Sequence, residues 1–347
     1  MAELTSKERV IKFFKKEPID TMPVFSGMGT VVIQAVNEMG VKFAQVHTTA
    51  ELLAGSAMKS SEMCGLDAVC IPYDMATVAQ AVGCGLTLYE NSADILYPTV
   101  PNKWETLEAV NIPPDFMKRE RMPMVDEAFK ILVKDGRFAV GAWQLGPFTL
   151  AGQIIELGLL LKGAKKNKEA VEAFLTKMTD IVIESIKHYE SLGVDFLNIR
   201  EMGSGTDLLS PKMWSSLIQP HLIRIFSELK TPAVLHICGG TDMIVPLMNQ
   251  CGADALSFDQ KNTLAKTREV VGKDVIVLGN FDPYGTLVQM ENPEDVKAVV
   301  KKCIDDGVDA VWPGCDLWPD VKMDNVKAWV STVREYGKKP SPAIGRL

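Results

Sequence analysis

Short apolar runs recur along the chain, each behind a helix-like stretch and a Gly-x-Asp step. Gly65-Leu66-Asp67 leads into AVCIPYD and Gly193-Val194-Asp195 into FLNIREM. Gly252-Ala253-Asp254 leads into ALSFDQ and Gly307-Val308-Asp309 into AVWPGC. Glycine suits the left-handed residue that ends a helix. A short, fully apolar run after it predicts a strand buried on both faces. The last three steps lie 59 and 55 residues apart, room for two βα units in each interval. The intervening strands are legible as TPAVLHICGG and DVIVLGNFDP, and FAVGAWQLGPF supplies another near residues 138–148. Strands alternating with helices predict a parallel sheet. At this number of strands a closed (β/α)8 TIM barrel is preferred to an open doubly wound sheet. No G-x-G-x-x-G follows a first strand, which argues against dinucleotide binding.

The pattern predicts a single domain over 1–347, with residues 1–20 as a short N-terminal helical extension. The polar, Pro-rich stretch from about 90 to 125 reads as a surface excursion or as a lid beside the site. The tail KKPSPAIGRL is expected to fray. The chain of 347 residues is 47% hydrophobic and 23% charged, ordinary for a globular protein with a sizeable core. Its net charge of −7 disfavours nucleic acid and anionic membranes as partners. No apolar run reaches the roughly 18 residues of a membrane span, and the amphipathic start lacks a signal-peptide core. A cytoplasmic location is expected. Seven cysteines at irregular spacing do not form a disulfide framework.

In parallel βα proteins, active sites gather at the C-terminal ends of strands. Those ends carry Tyr73-Asp74, Trp143-Gln144, Arg200-Glu201, His236-Ile237-Cys238, Asp259-Gln260, Asn280 and Trp312-Pro313-Gly314-Cys315. Residues i and i+2 of a strand share a face, so His236 and Cys238 can approach one ion together. Cys315 follows a Pro-Gly turn able to aim it inward. One His and two Cys make a soft set suited to Zn2+, and three protein ligands leave a fourth position open, as in catalytic sites. The competing reading is ordinary core packing for all three. A thiol in the open position would become a thiolate at neutral pH; water activation is better served by His-rich sites. Cys64, Cys70, Cys84, Cys251 and Cys303 lack ligand spacing, and His47, His188 and His221 lie outside strand ends.

The segments VLHICGGTDMIVPLMNQCGADALSF, VIVLGN and DAVWPGCDLWPDVKMDNVKAWV resemble the methylcobamide:coenzyme M methyltransferase branch of the uroporphyrinogen decarboxylase superfamily. The likeness extends to SKERVIKFFKKEPIDTMPV and GLDAVCIPYDMATVAQAVGCGL. It implies a (β/α)8 barrel and zinc on His236, Cys238 and Cys315. It also implies a zinc-activated thiol, such as coenzyme M, that takes methyl from a methylcobamide carried by a small corrinoid-binding protein. That partner would dock over the C-terminal face of the barrel. Self-association into a homodimer is left open.

Two departures from the family pattern bear on substrate. Decarboxylases of the superfamily carry an Arg-Gln-Ala-Gly-Arg segment where this chain has Val24-Phe25-Ser26-Gly27-Met28. Without those arginines, porphyrinogen decarboxylation is rejected. Arg200-Glu201-Met202 is a more charged strand end than the resemblance calls for. It keeps in view the reverse role, in which methyl passes from a methoxylated or methylated small compound to Co(I) corrinoid. A non-catalytic corrinoid- or tetrapyrrole-binding barrel is the reading from another class. Glu201 and Asp259 are the candidate catalytic carboxylates. Tyr73, Asp74, Trp143, Arg200, Asn280 and Trp312 are the candidate substrate contacts, and Trp143, Phe148, Trp312 and Trp318 either line an aromatic pocket or pack the barrel.

Overall fold

The computed structural model describes residues 3–338 and 342–344. Residues 339–341 and 345–347 of the tail expected to fray lie outside the described residues. Seven strands form one sheet: β1 (Ala68–Ile71), β2 (Ala139–Leu145), β3 (Phe196–Arg200), β4 (Ala233–Ile237), β5 (Ala255–Phe258), β6 (Ile276–Phe281) and β7 (Ala310–Pro313). They pair in sequence order, every pair parallel. Nearly every strand residue is buried, as their unbroken apolar character requires.

The Gly-x-Asp steps do two jobs. Gly65, Gly193, Gly252 and Gly307 have φ between +74° and +97°, the left-handed turn that releases each strand from the preceding helix. The aspartates that follow bind the neighbouring strand. Asp195 Oδ2 accepts from the Val140 N–H at 2.8 Å, Asp254 Oδ2 from Ala233 at 2.9 Å and Asp309 Oδ2 from Val277 at 2.8 Å. Each aspartate also donates its own N–H to the carbonyl of the same residue. These bonds satisfy backbone groups at the sheet's N-terminal edge that would otherwise be buried without partners.

Asp67 repeats the arrangement on Val24. Its Oδ2 accepts from Val24 N–H at 2.7 Å, and its own N–H donates to Val24 O at 2.7 Å. The extended segment around Val24 therefore stands beside β1 as β2 stands beside β3. Toward β7 its contacts are side-chain ones: the Phe25 ring meets Trp312 edge-on at 4.9 Å. The expectation of eight paired strands is thus corrected to a curled seven-stranded parallel sheet among the described residues. Among the described residues this segment forms no backbone ladder with β7, and the Asn198 side chain of β3 donates to its Gly27 carbonyl at 2.8 Å.

The N-terminal helix Ser6–Phe14 begins with a capping box between Thr5 and Glu8. It is outside the sheet but not peripheral. Phe14 stacks on Phe196 at the start of β3, with ring centroids 5.4 Å apart. Arg9 pairs with both Asp20 and Asp67. Residues 82–115 are mostly irregular, with a bridge between Thr87 and Thr99, and they reach the C-terminal face of the sheet. Among the described residues no helix is long and apolar enough to cross a membrane.

Candidate active site

β4 and β7 bring three of the singled-out residues together. His236 is fully buried near the end of β4, and Cys238 follows two residues on, on the same face. Cys315 follows β7 after Gly314. His236 Nε2 lies 3.1 Å from Cys238 Sγ, which lies 3.4 Å from Cys315 Sγ. Ser257 on β5 is in register with His236, and its Oγ lies 3.0 Å from His236 Nδ1. That contact leaves Nε2 to face the thiols. Glycines let the backbone close in. A Cβ on Gly314 would stand 2.6 Å from the Gln260 nitrogen, and one on Gly205 2.9 Å from the Cys238 carbonyl oxygen.

The hydrogen bond between the two sulfurs moves their acidities apart. The Cys315 thiol is pulled well below its ordinary value by the hydrogen bond with Cys238, against the cost of burial and with help from His236. Cys238 is pushed up by the same hydrogen bond and by burial. The set therefore offers two sulfurs and an imidazole nitrogen as donors. By composition it suits a soft divalent ion such as Zn2+. Its spacing is that of hydrogen-bonded thiols. Among the described residues no group of three or more His, Cys, Asp or Glu side chains stands at metal-shell separations. A tetrahedral zinc shell needs donors roughly 3.5–3.8 Å apart, so these side chains would have to part by a few tenths of an ångström.

A cavity of about 370 Å3 opens at the same end of the sheet. Its walls come from the segments after β1 (Tyr73, Asp74) and β7 (Asp316, Trp318), and from Tyr97 in the irregular stretch, with Arg200 from β3. The stretch read as excursion or lid thus supplies one wall. Arg200 is buried over the Trp143 ring, its guanidinium carbon 4.4 Å from the ring centre, and it pairs with Asp316 at 2.8 Å. Burial works against its charge, and Asp316, with Cys238 and Cys315, more than offsets that.

Asp74 forms a rigid corner of this cavity. It accepts two hydrogen bonds from Arg121, each of 2.9 Å, and lies 3.2 Å from His47 Nδ1. Burial opposes its ionisation, but His47 and Arg121 hold it well below the usual carboxylate range. Tyr73 is fixed by Ser56 at 2.9 Å and by the Leu53 carbonyl at 3.1 Å.

The other candidates have structural surroundings. Glu201 is fully buried and accepts from the Phe148 and Thr149 N–H groups, which open the helix Pro147–Ile154. Burial pushes its carboxyl up to about 7, although its Thr149 and Phe148 donors pull the other way. Asp259 accepts from the Lys261 N–H in a tight turn. Asn280 donates to the carbonyls of Asp259 and Asn262 and braces that turn. Trp143 donates to the Pro72 carbonyl. Trp312 and Phe148 are buried in packing, whereas Trp318 reaches the cavity. Sequence reasoning passed over Ser257, Asp316, His47 and Arg121. Asp316, directly after Cys315, and Ser257, two residues before Asp259, carried a positional signal. Arg121 carried none, since it opens a helix 47 residues from Asp74.

Comparison with known proteins follows the same lines. The uroporphyrinogen decarboxylase (URO-D) family model matches residues 5–336. The methylcobamide:CoM methyltransferase MtaA of Methanosarcina barkeri is 30% identical, over 97% of this chain and 99% of that protein. A methylated-thiol–coenzyme M methyltransferase of Methanosarcina mazei is 25% identical over 96% of this chain and 90% of its own length. The solved structure of a methyltransferase from Methanosarcina mazei superimposes with a TM-score of 0.90 at 29% identity, covering 96% of this chain and 99% of that one. The chain belongs to the uroporphyrinogen decarboxylase family, and within it is similar along its whole length to methylcobamide:CoM methyltransferases.

Proposed function

We propose that the protein is a zinc-dependent methyltransferase that passes a methyl group from a methylcobamide, carried by a small corrinoid-binding protein, to a small thiol. The observation that carries this reading is the convergence of His236, Cys238 and Cys315 at the C-terminal ends of β4 and β7. End-to-end similarity to proteins named for this reaction supports it. His236 Nε2 and the two Sγ atoms would hold the ion, with Ser257 orienting the imidazole. Bound there, Zn2+ would supply the positive charge that keeps a substrate sulfur deprotonated at neutral pH.

The remaining work belongs to the chain. Tyr73, Tyr97, Leu317 and Trp318 give the neighbouring cavity, which reaches Asp316 directly after Cys315, largely apolar walls suited to a small substrate. The sulfur attacks the methyl carbon, a carbon–sulfur bond forms, and the cobalt–carbon bond breaks with its electron pair left on Co(I). In-line displacement requires the methyl–cobalt axis to enter from the open face. That face is suited to a macromolecular partner. Of seven exposed large hydrophobic side chains among the described residues, Met75, Leu208, Met243, Tyr284 and Trp318 lie in segments after strands. We read the segment around Val24 as the eighth stave that completes the barrel around this site.

Cys238→Ala and Cys315→Ala test the assignment directly. Each is expected to lose zinc, measured by elemental analysis, and methyl transfer, with the circular dichroism spectrum unchanged. A variant that kept full zinc and full rate would sink the ligand assignment.

A further inference from the structure

The helix Pro147–Ile154 is held at both ends by segments remote in sequence. The first N–H groups and the last carbonyls of a helix find no partner within it. At the start of this one, the Phe148 and Thr149 N–H groups donate to Glu201 at 3.1 Å and 2.7 Å. At its end, three consecutive residues of the irregular stretch take the carbonyls of 152–155. Asn102 Nδ2 donates to Gly152 at 3.2 Å, to Gln153 at 3.0 Å and to Ile155 at 3.0 Å. The Lys103 and Trp104 N–H groups both donate to Ile154, at 3.0 Å and 3.4 Å. Three carbonyls around one atom require the amide nitrogen there, so the two Nδ2 protons of Asn102 serve them all.

These contacts place a wall of the cavity. Tyr97, Pro98, Thr99 and Val100, just before Asn102, line it together with Gln153 of the helix. The near end of this strap is pinned by rings: Tyr97 meets Phe43 edge-on at 5.0 Å and His47 at 5.8 Å. At the far end Asn102 is exposed, so its bonds compete with water. Glu201, beyond the other end of the helix, donates its N–H to the His236 carbonyl at 2.9 Å. The helix is thus a spacer between the strand ends that carry the candidate metal ligands and the strap that walls the cavity.

We propose that Asn102 is a positioning residue for the small substrate: it locks the strap to this helix and so holds residues 97–100 as the wall against which the substrate packs. The inference rests on the reading of the cavity as the small-substrate site. Asn102 does not itself line the cavity. Its loss frees the wall and weakens substrate binding, and it leaves the chemistry at the reacting sulfur unchanged.

Asn102→Asp keeps the shape of the side chain and removes both donor protons, and Asn102→Ala removes the whole amide. Hydrogen exchange at the Lys103 and Trp104 amides is expected to quicken at least about fivefold in both variants, the effect of losing roughly one hydrogen bond, with exchange in β1–β7 unchanged. Isothermal titration of the zinc-replete protein with coenzyme M scores binding whether or not methyl transfer occurs. Its dissociation constant is expected to rise several-fold in both variants. With methylcobalamin as donor, KM for coenzyme M should rise by the same factor while kcat stays within about twofold. Parent-like exchange or parent-like coenzyme M affinity in Asn102→Asp, a kcat that falls while KM stays, or no coenzyme M binding by the parent would each overturn the proposal. A parent that binds coenzyme M, loses affinity on Asn102→Asp and transfers no methyl group keeps the positioning role and loses the proposed reaction.

Discussion

Replacing Asp74 by Asn removes the charge at the corner of the cavity while keeping its shape. The carboxylate side chain is 1% exposed and that of Arg121 10%. Arg121 would lose its charged bidentate partner and retain only neutral acceptors, the new amide oxygen and Gln80, 2.9 Å from its Nε. Breaking a buried pair by removing one charge costs about 3–5 kcal/mol, because the other charge is left uncompensated. Unfolding entropy of roughly 2.1 cal/mol/K per residue gives a chain of this size about 0.7 kcal/mol per kelvin. The expected loss is therefore about 4–7 °C in Tm, read by calorimetry at pH 7. Removing Arg121 as well, in Asp74→Asn/Arg121→Met, should restore part of the stability, since the two residues share one interaction. The pH dependence has a definite sign. A carboxyl held below its ordinary 3.8 in the folded state contributes stability that is present above 3.8 and is lost as pH falls below it. The gap between parent and variant should therefore be constant from pH 5 to 7 and close in acid. An Asp74→Asn Tm within 1 °C of the parent, or strict additivity in the double variant, would refute this account of the corner.

Four further outcomes follow from the geometry. Ser257→Ala should weaken zinc binding by about 10- to 100-fold in chelator competition, through loss of the contact to His236 Nδ1. Gly314→Ala should lower both kcat and Tm, because its Cβ would push against the Gln260 backbone and displace Cys315; unchanged kcat would count against the placement of Cys315. Gly27→Ala should cost about 1–3 kcal/mol in urea denaturation, since its Cβ would stand 2.5 Å from the Trp312 ring. Glu201 has its folded value raised from 4.5 to about 7, so it lowers stability progressively as pH rises through that window and by a constant amount above it. The span amounts to about 3 kcal/mol, and Glu201→Gln should flatten that part of the stability–pH curve.

The strands were legible because each is a short apolar run released by a Gly-x-Asp step, and both residues of the step have a physical task. Gly65, Gly193, Gly252 and Gly307 take the left-handed turn, and the aspartates that follow bond the neighbouring strand. The position of the segment around Val24 beside β1 was not legible. Its role depends on a bond to Asp67, 43 residues away, and no local periodicity records that. Strand alternation was enough to put His236 and Cys238 on one face. That Cys315 meets them depends on the curl of the sheet from β4 to β7, a property of the whole fold. The hydrogen-bond partners of Glu201 and Asn280 were not legible from the strand ends. Both follow the right position, but one anchors the helix Pro147–Ile154 and the other a turn, because buried backbone groups there needed partners. Arg121 and His47 reach the site from helical segments remote in sequence, so only tertiary packing reveals them.

The most direct test of methyl transfer is the anaerobic absorption spectrum of methylcobalamin mixed with zinc-replete protein and a small thiol. The account predicts thiol-dependent conversion of methylcobalamin to Co(I), with the methyl thioether recovered in equal amount and no conversion by Cys238→Ala. A zinc-loaded protein that left methylcobalamin unchanged with every thiol tried, including coenzyme M, would contradict it.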